Sequence, residues 1–483
     1  MWISAKLLYV IPILFLLSLF GSPFFDSETI PLPLPKLHGK FLHITDFHPD
    51  PHYVSNVTAR SRCHEHFKST KKPKHMKRGI SGPWGAPATV CDSPMSLIDA
   101  TFEWLEKNWK NKLDFIVWTG DNARHDNDDI IPRTPEEMFR LNRMITEKFL
   151  ETFGDPQLRS RKKAPHFIPI VPSIGNNDIH PNNIVLPGPN DLLTTLHDIW
   201  YPFIPQKQHK TFLKGGYFYT EVIPGKLIVV SINTLYFYKA NTAVNGCKAK
   251  DQPGTIHLRW LNDVLRMANK RGLKVYLTER EGLNISQEDQ GAVETKVYNI
   301  DKYMNKLLKH YRKIPLTREV EKEYAVININ PSVIPTFFPA LRIFDYNITE
   351  LANEDHEVNS TKKSKKDSPS QVNTFLTPLG YTQYFINLTH ANLYPNITPE
   401  YIIEYTTWNE YHMNDLTVPS WIQLARRIVN RGFRSSLWKK FQEHLMVGTR
   451  SLIRQKNKRS YRNSDSDDRV KGPEDYIVSE LSF

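Results

Sequence analysis

Short apolar segments that end in polar residues constrain this chain more than any other feature. Five of them have the length and β-branched content of buried strands. Helical patterns lie between them: one starts at Ser93-Pro94, a cap followed by proline at the first helical position, and runs to about Asn111, and a second covers roughly 257–270. This alternation predicts a layered α/β domain. The five predicted strand segments are 40–48, 113–121, 167–178, 226–234 and 274–279.

Three of these segments end in residues that could share one site. The first ends in DFH (46–48), the second in GDN (120–122) and the third in GNND (175–178). Ligands of open α/β sheets bind at the carboxyl ends of the strands. We therefore expect the three polar clusters to meet in one crevice.

The residue types in these clusters suit a pair of divalent metal ions. Two such ions about 3.5–4 Å apart need a bridging carboxylate, further oxygen and nitrogen donors, and an open position for water and substrate. Asp46 and His48, two residues apart on an extended strand end, could bind one ion. Asp121 could bridge, and Asn176 could offer an amide oxygen to the second ion. Each short motif is common by itself, so the prediction depends on their order at three strand ends.

The N-terminal segment predicts the compartment. Leu7–Phe25 carries no charge and is about long enough to cross a bilayer. Lys6 precedes it and acidic residues follow, so the positive-inside rule places the N-terminus in the cytosol. We expect residues 1–25 to form a cytosolic stub and a transmembrane signal-anchor helix, and 26–39 to form a Pro-rich spacer. A cleaved signal peptide is the alternative. Both place the remaining chain in a lumen or outside the cell.

Sequons agree with a lumenal route, because six N-x-S/T triplets occur along the chain. The predicted glycosylation sites are Asn56, Asn284, Asn347, Asn359, Asn387 and Asn396.

Charge and composition divide the rest of the chain. The net charge of +12 favours an anionic partner, which could be nucleic acid, a membrane surface or a phosphate-rich substrate. The polar segment 353–372 predicts a disordered linker or insert, and the aromatic-rich segment 373–447 is expected to pack back onto the domain. We interpret the basic to mixed-charge tail 448–483 as a solvated extension rather than a polyanion-binding arm.

A Lys-rich stretch, HEHFKSTKKPKHMKR, contains three histidines that could bind a metal or a polyanion. We instead predict a solvated surface loop for His64, His66 and His75.

Longer stretches around the strand ends resemble the calcineurin-like metallophosphoesterases. ITDFHPDPHY, DFIVWTGDNARHDND and PSIGNND are similar to the first three signature blocks of that family. CDSPMSLIDATFEWL and PGTIHLRWLNDVL resemble its fungal endopolyphosphatases, which are vacuolar, membrane-anchored enzymes. The resemblance implies a layered metallophosphoesterase sandwich over 40–352, lumenal behind a single-pass type II anchor. It also implies two divalent cations and hydrolysis within inorganic polyphosphate chains.

The same resemblance implies roles for individual residues. Asp46 and His48 match the ligands of the first metal, Asp121 the bridge, and Asn176 the amide ligand of the second metal. His125 matches a histidine that contacts the substrate phosphate or protonates the leaving oxygen. Related phosphodiesterases carry a histidine directly after the third-block asparagine, where this chain has an amide that cannot supply a proton.

One departure from the family is serious. The Gly-His blocks that supply its remaining imidazole ligands are absent, since no Gly-His dipeptide occurs in the 483 residues. A segment is therefore predicted to be missing near 278–298, through a lost exon or as a real loss in a pseudoenzyme. In a lumenal protein Cys63 and Cys91 can form a disulfide. In the family, the partner of Cys247 would lie in the missing segment.

Two other functions stay open. One is a sphingomyelinase-like phosphodiesterase, and the other is a non-catalytic polyphosphate-binding protein that kept the fold. We expect polyphosphate and, through the N-terminal helix, a membrane as partners, and no nucleic acid. Metal identity and oligomeric state are open.

Overall fold

Two larger β-sheets, a short two-stranded pair and the helices packed with them form the framework of the described part of the chain. The computed structural model describes residues 37–65, 80–154, 168–247, 249–279, 306, 308–313, 326–349, 374–432 and 434–452. The strands in these residues are β1 (Lys40–Ile44), β2 (Pro49–Asp50), β3 (Ser93–Pro94), β4 (Phe115–Trp118), β5 (Ile170–Pro172), β6 (Phe218–Ile223), β7 (Leu227–Ser231), β8 (Lys274–Thr278), β9 (Ala340–Tyr346), β10 (Pro378–Phe385) and β11 (Ile402–Thr406).

The main sheet has the strand order β11-β10-β9-β1-β4-β5. Its strands β1, β4 and β5 are parallel, with Ile44 opposite Trp118 and Trp118 opposite Pro172. The loops after these three strands therefore leave the sheet at one edge. β9, β10 and β11 continue the sheet on the other side with antiparallel pairing.

The second sheet has the order β6-β7-β8, with β7 and β8 parallel. The two sheets meet at the ends of β5 and β7, where the hydroxyl oxygens of Ser173 and Ser231 lie 3.0 Å apart. Thr278, the last residue of β8, has its carbonyl oxygen 3.5 Å from Ser173 Oγ. The chain after β8 therefore leaves the second sheet next to the loop that follows β5.

The α-helices alternate with the strands in the first part of the chain, as the sequence predicts. They are α1 (Met95–Trp109), α2 (Pro135–Phe153), α3 (Asp191–Trp200), α4 (His209–Gly215), α5 (Pro253–Lys270), α6 (Leu388–Ala391), α7 (Thr407–Tyr411), α8 (Val418–Arg431) and α9 (Ser436–Leu445).

The predicted start of α1 is wrong by one residue. Pro94 is the N-cap, and the helix begins at Met95. The reason is that Ser93–Pro94 is extended and pairs with Pro49–Asp50 as a short parallel bridge. The second predicted helix begins earlier than expected, at Pro253, because proline fits the first turn of a helix.

The α/β prediction is confirmed, and all five predicted strands exist with shorter bounds. Each loses its polar residues to the following loop, as when β1 ends at Ile44 and β4 at Trp118. The centre of the sheet is held by apolar contacts, including the Phe41 ring stacked 4.7 Å from both Phe115 and Phe344. Burial of such side chains contributes about 25 cal/mol per Å².

Several predicted segments lie outside the described residues, among them the transmembrane segment 1–25, most of the spacer, the insert 353–372 and the tail beyond 452. Within the described part of the chain, the helices are too short or too polar to cross a bilayer.

Candidate metal centre

The loops after β1 and β4 are bound to each other through their backbones. The amide of Asp46 donates to the carbonyl of Gly120 (3.0 Å), and the amide of His48 donates to that of Asp121 (3.1 Å). All three candidate ligands here have positive φ: 54° for Asp46, 39° for His48 and 57° for Asp121. The predicted extended geometry for Asp46 and His48 is therefore wrong, because the chain turns to make these bonds. Such conformations cost on the order of 1–3 kcal/mol each and cluster at functional sites.

These turns bring three ligating side chains together. His48 Nε2 lies 3.6 Å from Asp46 Oδ1 and 3.3 Å from Asp121 Oδ2. One donor atom of each residue lies within 4.8 Å of the others, and all three residues are buried. The other ring nitrogen, His48 Nδ1, donates to the carbonyl of Ala123 at 2.8 Å. A hydrogen on Nδ1 makes Nε2 the metal-binding atom, which is the usual arrangement for a histidine ligand.

The electrostatics of this cluster favour a cation. Burial opposes a charge on His48, but the carboxylates of Asp121 and Asp46 outweigh it and raise the pKa of the imidazole well above its usual value. A divalent cation is attracted by the same two carboxylates and can take the place of that proton.

The loop after β5 supports the Asp121 carboxylate. The backbone amide of Asn177 donates to Oδ1 (2.9 Å) and its side-chain amide to Oδ2 (3.2 Å). A Cβ atom on Gly175 would overlap Asp121 Oδ1, so the close approach requires glycine. Asn176 lies between Gly175 and Asn177 in the sequence. Its buried Oδ1 has no hydrogen-bond partner among the described residues, as expected of an atom that binds a ligand.

The donor set fits one cation fully. Two carboxylates and an imidazole converge, which suits a divalent ion of intermediate softness. For a second ion, the described residues include the shared Asp121, the Asn176 oxygen and a second group, His48, Asp92 and His125, whose donor atoms also lie within 4.8 Å of one another. The segment 280–305 lies outside the described residues. The Gly-His blocks are missing from the sequence itself.

His125 packs directly against the cluster. Its ring is stacked on that of His48, with the centroids 4.2 Å apart and the planes at 13°. The carboxylate of Asp92 accepts from His125 twice, from the backbone amide (2.7 Å) and from ring Nδ1 (2.6 Å). Burial raises the pKa of Asp92, but the facing His125 outweighs it, and the net pKa lies below the usual value. Sequence reasoning missed Asp92, whose one signal is its place directly after Cys91.

Asp178 is a second residue that sequence reasoning passed over. Its carboxylate accepts from the backbone amides of Asp121 (2.9 Å), Asn122 (2.7 Å) and Gly175 (2.8 Å), so it joins the two loops. Burial and the nearby Asp121 carboxylate raise the pKa of Asp178 to about 6, against the effect of these donors. Its place as the last residue of GNND was the available signal.

Arg133 also joins these two loops. Its guanidinium donates to the carbonyls of Arg124 (2.8 Å), Asn177 (2.8 Å) and Ile179 (3.2 Å). No sequence pattern marks this fully buried arginine.

The surface-loop prediction is wrong for His64. This residue is 3% exposed, with Nε2 2.8 Å from Asp50 Oδ2 and Nδ1 2.5 Å from Asp128 Oδ2. Ionised carboxylates only accept hydrogen bonds, so both ring nitrogens carry hydrogen and the ring is an imidazolium between two carboxylates. The prediction failed because the partners, Asp50 in β2 and Asp128 in the loop after β4, lie 14 and 64 residues away in the sequence. His66 and His75 lie outside the described residues.

One disulfide ends next to the site, because Cys91 directly precedes Asp92. Cys63 and Cys91 form a disulfide, and Cys247 is a free, exposed cysteine. Asn56, Asn387 and Asn396 are exposed, and Asn347 is half-buried. Asn284 and Asn359 lie outside the described residues.

Comparison with known proteins agrees with the resemblance of the signature blocks. Residues 39–305 match the family described as calcineurin-like phosphoesterase. An endopolyphosphatase of Cryptococcus neoformans is 29% identical over 86% of this chain and 92% of its own length. Endopolyphosphatases of Schizosaccharomyces pombe and Saccharomyces cerevisiae are 32% and 28% identical, covering 81% and 84% of this chain and 83% and 85% of their own lengths.

The alignment with the Cryptococcus protein runs over 640 positions, more than the 483 residues of this chain, so that relative carries residues with no counterpart here. The predicted resemblance is confirmed over more than half of the chain. This chain belongs to the calcineurin-like phosphoesterase family.

Proposed function

We propose that this chain is an endopolyphosphatase, a hydrolase that cuts phosphoanhydride bonds within inorganic polyphosphate. The main support is the convergence of Asp46, His48 and Asp121 at the carboxyl ends of parallel strands, in a chain whose relatives carry that name. The positive net charge suits a polyanionic substrate, which a basic surface can hold along its length.

The metal chemistry explains the need for this donor set. Asp46, His48 and Asp121 would hold one divalent cation, and Asp121 with Asn176 would contribute to a second. Bound divalent cations activate water and neutralise charge on phosphoryl oxygens. In the overall reaction, a water oxygen bonds to phosphorus, the bond to the bridging oxygen breaks, and that oxygen leaves as the end of a shorter chain.

This chain's own residues would orient the substrate and handle protons. His125, with a side chain 21% exposed, carries an imidazole beside the cluster that can hydrogen-bond to a phosphate or to the leaving oxygen. Asn177 donates to Asp121, which supports an orienting role for this amide rather than an acid role.

We also propose that the protein is anchored in the vacuolar membrane as a single-pass type II glycoprotein. The uncharged Leu7–Phe25 segment and the six sequons support this topology.

A non-catalytic polyphosphate-binding protein is the second candidate. The observation that favours it is the lack of any Gly-His dipeptide in the chain, which leaves the second cation few protein donors. If a segment is missing near 278–298, metal loading should be poor, and the exposed Cys247 should react with a thiol reagent in the native protein. Sequencing the transcript across codons 270–300 distinguishes a lost exon from a real loss.

The test compares substrates, products and metal content. The purified full chain is incubated with divalent cations and long-chain polyphosphate, a choline-phosphate ester or a nucleotide diester. Mid-length polyphosphate fragments that precede free phosphate on a sizing gel support the proposal. Early release of free phosphate overturns the internal cut. Cleavage of the diesters alone favours a sphingomyelinase-like phosphodiesterase. Polyphosphate binding without cleavage and without bound metal favours the second candidate.

A further inference from the structure

The outer side of β8 is an open strand edge in the part of the chain that the structure describes. There, β8 is the last strand of the second sheet and pairs with β7 on one side only. Lys274 and Thr278, its first and last residues, form backbone hydrogen bonds on the β7 side, with lengths of 2.8 Å and 3.0 Å. Bonding groups alternate between the two sides of a strand, so Val275 and Leu277 direct their N–H and C=O groups to the open side. Such an edge is a template for another chain.

Leu277 also exposes its side chain at this edge. Val275 packs on the apolar cluster between the second sheet and α5. Leu277 lies two residues further on the same face of the strand, yet it is 51% exposed. α5 therefore covers the start of this face and leaves its end open.

The flank of α5 on the β8 side is apolar as well. Trp260 packs on Tyr217, directly before β6, with the ring centroids 4.5 Å apart, so that flank of the helix faces β6. At 3.6 residues per turn, the opposite flank carries uncharged residues, and its Leu258 and Leu265 are 45% and 40% exposed. The uncharged residues are Leu258, Leu261, Asn262, Leu265 and Asn269, and the charged Arg259, Asp263, Arg266 and Lys270 lie on the solvent side of the helix.

β8 is complementary to a second copy of itself in antiparallel register. A two-fold axis through Tyr276, perpendicular to the sheet, places Val275 of one copy opposite Leu277 of the other. Both residues direct backbone groups to the open side, so each of these pairs can exchange two hydrogen bonds. The same axis brings Lys274 of one copy near Glu279 of the other, since Lys274 begins β8 and Glu279 follows it. Unlike charges therefore meet at both ends of the paired strands.

The two α5 helices enlarge this contact. A strand edge of five residues is small for a stable dimer, which buries about 1,200–2,000 Å² in total. The two-fold axis keeps both α5 helices on the same side of the joined sheet, antiparallel to each other. Their uncharged flanks then face each other across the paired β8 strands, and Leu258, Leu265 and Leu277 of both copies can be buried together.

We propose that the β8 edge and the β8-facing flank of α5 form an interface between two copies of this chain, in antiparallel register centred on Tyr276. The interface would join the two second sheets into one continuous six-stranded sheet. An apolar centre without charged residues is typical of homodimer interfaces. This inference does not depend on the proposed function.

The first test measures the mass of the purified full chain. Light scattering combined with absorbance and refractive index gives the protein mass separately from any bound detergent. We expect a dimer at micromolar concentration. Leu277→Arg places an unpaired charge between the paired strands and should raise the dissociation constant of the dimer by about 30-fold or more.

The matched control is Ile403→Arg. Ile403 is 57% exposed in β11, the last strand of the main sheet, so this variant places the same charge on a similar residue at a different sheet edge. The dimer should be unchanged. A monomeric wild type, a Leu277→Arg chain that remains a dimer, or a dimer lost in Ile403→Arg would overturn the inference.

The second test determines the register and keeps the inference testable if Leu277→Arg does not fold. Val275→Cys and Leu277→Cys are combined in a Cys247→Ser chain, which removes the free cysteine, and the protein is oxidised. Opposite residues in a hydrogen-bonded antiparallel pair have Cα atoms about 5.5 Å apart, within the range of a disulfide. A covalent dimer on a non-reducing gel supports the interface.

Each single cysteine variant in the same Cys247→Ser chain is the control for the register. Two copies of one cysteine would then lie diagonally, about 7–8 Å apart, which is too far for a disulfide. The single variants should therefore give little covalent dimer. No covalent dimer in the double variant, or equal yields in the single variants, would contradict the proposed pairing.

Discussion

Two regions of the main sheet bury polar side chains. In one region these side chains are hydrogen-bonded to one another, and in the other some of their oxygen atoms have no partner among the described residues. The tyrosine cluster, defined as Arg342, Tyr381, Gln383, Tyr405 and Tyr411, lies on the antiparallel side. There Arg342 Nε donates to Gln383 Oε1 (2.8 Å), Gln383 Nε2 donates to Glu404 (2.7 Å), and the Tyr381 and Tyr405 hydroxyls lie 2.9 Å apart. In the metal centre, the side-chain oxygens of Asn176 and Asn177 are buried without a partner among the described residues.

The backbone is also strained in the metal centre and regular in the strands that carry the tyrosine cluster. At the metal centre, Asp46, His48 and Asp121 all have positive φ. In β9 and β10, the described backbone pairs in antiparallel register from Tyr346 to Ala340, with one irregularity near Pro378. A buried polar group that is fully bonded stabilises a fold, whereas unpartnered groups on a strained backbone are typical of a ligand site. Substitutions in the two regions should therefore affect different properties.

The largest expected effect is on metal binding and hydrolysis. Asp121→Asn keeps the shape of the side chain but removes the negative charge that a cation requires. We expect divalent-metal affinity and polyphosphate hydrolysis to fall by about 100-fold or more, with little change in melting temperature. Calorimetric metal titration, gel sizing and thermal melting measure the three quantities. Asp99→Asn, at an exposed position of α1, is the control. A folded Asp121→Asn chain that keeps more than a few per cent of activity would show that Asp121 does not bridge.

A substitution in the tyrosine cluster should lower stability without changing metal binding. Gln383→Ala leaves the buried Arg342 and Tyr405 without their shared acceptor and should lower the free energy of unfolding by about 2 kcal/mol. Denaturant unfolding measures this loss, and metal titration should give an unchanged affinity. A change in metal affinity as large as that of Asp121→Asn would remove the distinction between the two regions.

A smaller effect concerns pH and His64. Burial lowers the pKa of His64, but the carboxylates of Asp50 and Asp128 outweigh it and raise the pKa above 6.5. A raised folded-state pKa means that the stabilisation is complete below about pH 6.5 and is lost as pH rises through the folded-state value. Thermal melting across pH should show this decline in the wild type. His64→Gln should be less stable at pH 5 and should lose that part of the slope; an unchanged slope would mean that His64 does not carry it.

The smallest effect belongs to Glu404, next to the tyrosine cluster. Burial raises its pKa to about 7 despite the hydrogen bond from Gln383 and the charge of Arg342. The folded state therefore holds this proton more tightly, so stability falls as pH rises from about 4.5 to about 7. Glu404→Gln should match the wild type at pH 4.5 and melt at a higher temperature at pH 7. Equal melting temperatures at both pH values would contradict the raised pKa.

The sequence could predict what depends on local pattern. β1, β4 and β5 are apolar runs of strand length, and Asp46, His48, Asp121 and Asn176 follow them directly, so their common edge could be expected. The positive φ values could not, because they come from bonds between loops such as that from Asp46 to Gly120.

The sequence also could not predict contacts between residues that are far apart along the chain. Asp92 meets His125 across 33 positions, and His64 meets Asp128 across 64. No periodicity reports such pairs. His64 in particular lies in a Lys-rich stretch whose composition is typical of a surface loop, and only its buried partners show otherwise.

The position of β8 has a consequence for how this fold can vary. Its last residue, Thr278, lies beside Ser173, and Ser173 is close in the chain to Gly175 and Asn176. The chain therefore leaves β8 next to the loop that carries the candidate ligand Asn176. The entropy of closing a loop grows by only about 0.6 kcal/mol per doubling of its length, so segments of different sizes can be grafted there. Segments that differ in length and in their metal-ligating residues can therefore follow β8 without a change in either sheet.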